Sequence, residues 1–322
     1  MRLANRGAQR HHEGMQVGQF ELRDPLPQLN EPHVIASLTP WVDAGSVGTL
    51  TLERLERFMG AEDLGDLSTP GRFFDFTRYR PMVYMEGGQR RLRVPNAHLR
   101  YARGPQGTDF LFLHMLEPHN NAEEYIDGIT EVLEFLQVKR LVRVGSMYDA
   151  VPHTRPLLMM GTLNGQPLEG VEGVRGNRRR PYQGPTSIMN LVGDRLQASG
   201  VDSMMLMARL PHYVELEADF AGRTKMLRVI SGIYDLPPEY YLSRRDTQQY
   251  DRVSTELERN QQMKLMVERL EAEYDRRHGT APTEPAQEET SSESPTPLPP
   301  SVEQFLGELG NLGTDSPESE DS

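Results

Sequence analysis

Cysteine is absent from all 322 residues. That excludes disulfides, thiolate zinc sites and a cysteine nucleophile, and it fits a reducing, cytoplasmic setting. Long apolar runs are also missing. None approaches the roughly 20 residues that a spanning helix needs, so no membrane segment is expected. The start, Met1 to Gly18, is polar, carries Arg2, Arg6, Arg10, His11 and His12, and has no apolar core of a secretory signal. Residues 1–30 are read as a mobile arm. An excess of positive charge is the third absence. The formal net charge is -12, and ten carboxylates with no Lys or Arg fall within 279–322, which leaves -2 on the rest. A near-neutral body lacks the basic footprint of a nucleic-acid binder. Neither G-x-G-x-x-G nor the P-loop pattern occurs at the strand-to-helix turns, so no nucleotide motif and no cofactor is indicated.

What is present is an alternation of strand-like and helix-like segments, the pattern of an α/β fold. Val34–Leu38 is short and apolar, and a helix over Val47–Met59 follows, with Ser46 placed to cap it. Phe73–Phe76, Met82–Met85 and Leu92–Pro95 read as strands, the last two joined by Glu86-Gly87-Gly88-Gln89, a good hairpin turn. Asp109–Leu116 (DFLFLHML) reads as a central strand. In 122–137, Ile126, Ile129, Val132, Leu133 and Leu136 form one helical stripe, and Arg140–Gly145 returns as a strand. Strand, helix, strand at this spacing predicts parallel neighbours. Leu157–Leu163 and Ser203–Leu210 are further strands, Gly165–Gly184 a long polar loop, and Thr186–Ser199 and Phe220–Tyr234 helices. A long helix with a narrow apolar stripe is predicted over 238–277. Residues 279–322 are acidic and rich in Pro, Ser and Thr, the composition of a disordered tail. Within it, 301–309 places Val302, Phe305, Leu306 and Leu309 at i, i+3, i+4 and i+7, which suits a short docking helix on a flexible tether. The α/β domain is expected to span 31–278.

Several polar motifs fall where strands end. Trp41, Asp43, Gly45 and Ser46 follow the first strand, and in parallel α/β sheets that end is where ligands bind. The same residues serve equally as a glycine turn and a helix cap. Glu117 and His119 end the central strand. In Val151-Pro-His-Thr-Arg-Pro156 two prolines fix the backbone around His153 and Arg155. That pair can bind an anion or move a proton, or it can be a stiff structural loop; no nucleophile or carboxylate partner is evident nearby in sequence. Arg178, Arg179 and Arg180 precede Thr186 at a helix start, a possible phosphate cradle. A metal set from His114, Glu117, His119 and His153 is not expected, because residues three apart in a strand face opposite sides. No catalytic residue is assigned.

Taken in order, Trp41-Val-Asp-Ala-Gly-Ser46, Asp75-Phe76-Thr77 with Arg80-Pro81, Glu117-Pro118-His119, Val151–Pro156, Gly184-Pro185-Thr186 and Pro211-His212-Tyr213-Val214 resemble the proteasome assembly chaperone family, specifically the prokaryotic relatives of its second subunit. The likeness covers Val34 to Arg277. It implies a phosphorylase/hydrolase-like α/β sandwich with a mixed, largely parallel central sheet flanked by helices. It also implies self-association, protein partners related to the proteasome, and a chaperone or scaffold role without catalysis. Some archaeal relatives dock through a C-terminal hydrophobic-tyrosine-any motif, whereas this chain ends Glu318-Ser-Glu-Asp-Ser322. The alternative expectation is a small-molecule binder or enzyme whose rim pocket takes a nucleoside, phosphate or other anion.

Overall fold

The computed structural model describes residues 14–175, 184–242 and 245–278. In chain order these form β1 (Met15–Val17), β2 (Phe20–Leu22), β3 (His33–Thr39), α1 (Val47–Met59), β4 (Glu62–Leu67), β5 (Met82–Glu86), β6 (Gln89–Arg93), β7 (His98–Ala102), β8 (Phe110–Leu116) and α2 (Ala122–Phe135). They continue with β9 (Arg140–Asp149), β10 (Leu158–Leu163), β11 (Gln166–Pro167), β12 (Val174–Arg175), α3 (Ile188–Ala198), β13 (Asp202–Pro211), α4 (Phe220–Tyr234), α5 (Arg245–Leu257) and α6 (Gln261–His278).

An eleven-stranded mixed sheet runs β1-β2-β4-β7-β8-β3-β9-β13-β10-β11, with β12 beside β10. Its centre, β8-β3-β9-β13, is parallel, and the strands outside it pair antiparallel apart from β12. The central strands read as near-continuous apolar runs because both their faces are covered. On one face Leu111, Leu113 and Leu141 pack under α2 and α3 through Ile129, Leu133 and Val192. On the other, Ile35, Phe112 and Val142 pack under α1 and α4 through Leu52, Leu55 and Ile230. The expected α/β sandwich with helices on both faces of a mixed sheet is therefore what the chain forms.

The structure corrects five expectations. Residues 15–22 are a hairpin added to β4, with Phe20 and Leu22 wholly buried and Met15 37% exposed, so this stretch is part of the sheet rather than a mobile arm. Phe73 and Phe74 are buried, but in a turn after a short 3-10 segment (Pro70–Arg72), not a strand. β8 and β9 are parallel as predicted but not adjacent, because β3 lies between them. The polar loop after Leu163 includes the short strands β11 and β12. The helix expected over 238–277 is a 3-10 turn (Pro238–Tyr240) and two helices. The break falls at Asn260, whose Oδ1 accepts the amides of Gln262 and Met263 at 3.0 and 3.3 Å and so starts α6 anew.

Because Phe20 is fully enclosed, Phe20→Ala is expected to lower the unfolding free energy by about 3–5 kcal/mol in urea titration. No loss would mean that residues 15–22 do not belong to the core.

Candidate functional site

The four parallel strands end on one rim, and the predicted motifs lie along it. Asp43 is joined to β9 by a bridge to Ser146. Its Oδ1 accepts the Gly48 amide at 2.6 Å and its Oδ2 the Thr49 hydroxyl at 2.7 Å. Asp43, not Ser46, caps α1; Ser46 donates its hydroxyl to the Glu217 carbonyl at 2.9 Å. The Gly48 backbone lies so close to the sheet that a Cβ there would stand 3.0 Å from Asp43 Oδ1 and 3.2 Å from the Val144 carbonyl. Burial pushes the Asp43 carboxyl up, and the Thr49 and Gly48 hydrogen bonds oppose it. Trp41 beside it is 50% exposed, and so are the nearby Met147 and Tyr148 on β9, in part. Gly45 adopts a left-handed conformation, and its carbonyl accepts the Asp219 amide at 2.8 Å.

Glu117 and His119 sit further along the rim. His119 Nδ1 accepts the Asp75 amide at 3.2 Å, and its ring packs 4.5 Å from that of Tyr79. Tyr79 donates to the Glu117 carbonyl at 3.1 Å, and burial raises the Glu117 carboxyl above its ordinary range.

The Val151–Pro156 loop is a socket for the C-terminal helices. The Tyr213 hydroxyl accepts the His153 amide at 2.9 Å and lies 2.7 Å from His153 Nδ1, while His153 Nε2 lies 3.0 Å from Ser254 Oγ on α5. Ser254 Oγ donates to the Tyr250 carbonyl at 3.1 Å, so a ring that donates from Nε2 and accepts from Tyr213 at Nδ1 satisfies all these groups while neutral. Arg155 grips α6 with two parallel bonds to Asp275 at 2.8 and 2.7 Å and a third to Glu271 at 3.1 Å. Thr154 also donates to Glu271, and Tyr274 to the Pro156 carbonyl. The partners of His153 and Arg155 lie 60 to 120 residues away in sequence, out of reach of motif reading. Asp43 thus holds α1, while His153 and Arg155 hold α5 and α6. Thr186 accepts from Asn190 Nδ2 at 2.6 Å, and its neighbour Ser187 caps α3. Arg178, Arg179 and Arg180, and the segment with Val302, Phe305, Leu306 and Leu309, lie outside the described residues.

A polar cleft of about 720 Å³ lies elsewhere, between α1, the β4-β7-β8-β3 surface and the root of the β5–β6 hairpin. One register row crosses its floor: Ser37 pairs with His114, His114 with His98, and His98 with Asp66. Glu56, only 6% exposed, reaches down from α1; His114 Nε2 lies 2.5 Å from its Oε1 and Arg100 donates to its Oε2 at 2.7 Å. Arg100 also holds Asp63 at 2.9 Å, and His98 Nδ1 lies 2.5 Å from Asp66 Oδ1. The sequence gives no cue to this cluster, since its residues are 32 to 58 positions apart and meet only by strand pairing and helix packing. Among the described residues no helix is long and apolar enough to cross a membrane.

The family model of PAC2 matches residues 37–253, and the chain belongs to the PAC2 family. No curated protein matches it. Among solved structures it is similar to the Mycobacterium tuberculosis unknown function protein Rv2714, at 24% identity and TM-score 0.71 over 83% of this chain and 92% of that one. A PAC2 family protein from Streptomyces avermitilis aligns at 23% identity and TM-score 0.61, covering 70% and 95%. The M. tuberculosis proteasome-assembly chaperone homologue Rv2125 aligns at 22% identity and TM-score 0.59, covering 71% and 94%.

Burial holds the His153 imidazole below its ordinary value of 6.5, against an opposing pull from Glu271. Above that value both folded and unfolded chains are neutral there and the group contributes nothing. Below it the unfolded chain takes up the proton first, so stability falls as the pH drops. The melting temperature is expected to fall between about pH 7 and pH 5, and less steeply in His153→Gln. Equal slopes would remove His153 from the acid sensitivity.

Proposed function

We propose that this chain is a non-catalytic, chaperone-like or scaffold protein of the cytoplasm that self-associates and binds partner proteins. The β5–β6 hairpin carries the reading. Both strands are exposed along their whole length, and Met82, Val83, Tyr84, Met85 and Leu92 are 39 to 67% exposed. A two-stranded hairpin by itself is marginal in water. Clustered exposed apolar side chains on such an element mark an interaction surface. The turn Gly87-Gly88, with φ of 56 and 79°, fixes its register, so the surface is built to a definite shape. Membership of the PAC2 family and the likeness to a proteasome-assembly chaperone homologue favour protein partners of the proteasome-related kind. The spacing of Val302, Phe305, Leu306 and Leu309 supports a second docking element in 279–322.

Light scattering tests the hairpin. The native protein should run above the 36.6 kDa of one chain. A Met82→Ser, Met85→Ser, Leu92→Ser variant should fall to that mass with its melting temperature kept; an unchanged mass excludes the hairpin as the subunit contact. For the tail, a 1–278 truncation should melt like the full chain but lose its partner in affinity capture from host lysate. Undiminished recovery of the same partner sinks the tail's role.

A further inference from the structure

The cleft between α1 and the hairpin root has features that partner binding does not use. Ser37, at 2% exposure, lines it, and its hydroxyl has no hydrogen-bond partner among the described residues. That hydroxyl opens onto the cleft, where it can bond with whatever enters. His114 and His98, next along the same row, each spend one ring nitrogen on a carboxylate, Glu56 and Asp66. The carboxylate takes an N–H in each case, which leaves His114 Nδ1 and His98 Nε2 for further hydrogen bonds. Adjacent strands stand about 5 Å apart, so Ser37, His114 and His98 set out hydrogen-bonding groups over roughly 10 Å of the floor. Glu53 on α1 adds a carboxylate to the wall that makes no ion pair among the described residues. A row of hydrogen-bonding groups of this kind suits a ligand rich in O–H groups, which both donate and accept.

The mouth has the opposite character. Arg80, just before the hairpin, and Arg93, at its end, line it at the root; neither has a carboxylate partner among the described residues, and the Arg93 guanidinium lies 5.5 Å from the centre of the Tyr84 ring. By contrast Arg23 and Arg100 in the same cleft are neutralised by Asp63 and Glu56. Two unneutralised guanidiniums at one mouth suit a dianion, because guanidinium matches phosphate oxygens in charge and geometry. The volume of about 720 Å³ lies within the usual range for small-molecule sites.

We infer that this cleft binds a phosphorylated sugar or similar polyol phosphate. Its hydroxyls lie along Ser37, His114 and His98, and its phosphate sits between Arg80 and Arg93. Because the hairpin root forms one wall, the ligand would also order the element that the partner-binding reading places at the interface. The ligand site itself does not depend on that reading.

Isothermal titration of the full chain with glucose 6-phosphate, glucose and inorganic phosphate tests the inference. Glucose 6-phosphate should bind at least about tenfold tighter than either fragment. The Arg80→Ala/Arg93→Ala double variant, altered only at exposed positions, should lose the advantage of the sugar phosphate over glucose. Ser37→Ala should weaken glucose 6-phosphate and glucose alike while leaving inorganic phosphate unchanged. Absence of heat with all three at about 10 mM overturns the inference, since a site of this kind must stabilise and bind at such concentrations. Equal binding of sugar phosphate and inorganic phosphate overturns the polyol assignment. A change in oligomeric mass in the double variant with no ligand response reassigns the cleft to a contact between copies.

Discussion

The Asp43 carboxylate, seated where β3 ends, fixes most of what surrounds it. It closes the first turn of α1 from below, and the absence of a side chain at Gly48 lets that turn lie against the sheet. The direction this gives α1 carries Glu56 over β7 and β8, where it meets Arg100 and His114. The same turn holds the second pair of helices. Gly45 accepts the Asp219 amide, and the buried Asp219 caps α4 through Gly222 at 2.7 Å and takes the Tyr250 hydroxyl of α5 at 2.8 Å. Removing such a buried acceptor leaves several donors unpaired, so the turn acts as a joint for three helices.

The other polar motifs along the rim also join segments of the chain. Each spends its polar atoms on another segment of the chain: Asp43 on α1, His119 on the Asp75 turn, His153 and Arg155 on α5 and α6. A motif can be fixed in sequence because it binds the chain itself. The apolar hairpin and the polar cleft at its root are surfaces that these motifs do not occupy.

Legibility in the sequence followed the same division. β3, β8, α1, α2 and α4 were visible because each is a continuous apolar run or a clean helical stripe, the direct result of burial on two faces or on one. β4 and β7 were not. Glu62–Leu67 and His98–Ala102 are short and carry Asp63, Asp66, His98 and Arg100, residues that disguise a strand. Those side chains are polar because they face the cleft, so the feature that hid the strands is the one that makes the site. The socket role of His153 and Arg155 was equally hidden, since their partners come from helices about a hundred residues on. Phe20 and Leu22 were missed for a simpler reason: a three-residue strand has too little pattern to show a period.

The central claim is that β5–β6 is an interface element held in a defined shape and covered when the protein engages its own copies or a partner. Hydrogen exchange of the backbone amides of residues 82–93, followed by mass spectrometry across a dilution series, tests it most directly. The account predicts slow exchange at high protein concentration that gives way to fast exchange on dilution, while the amides of β3 and β8 stay protected throughout. Fast exchange of the hairpin at every concentration, with the protein still assembled, would contradict it.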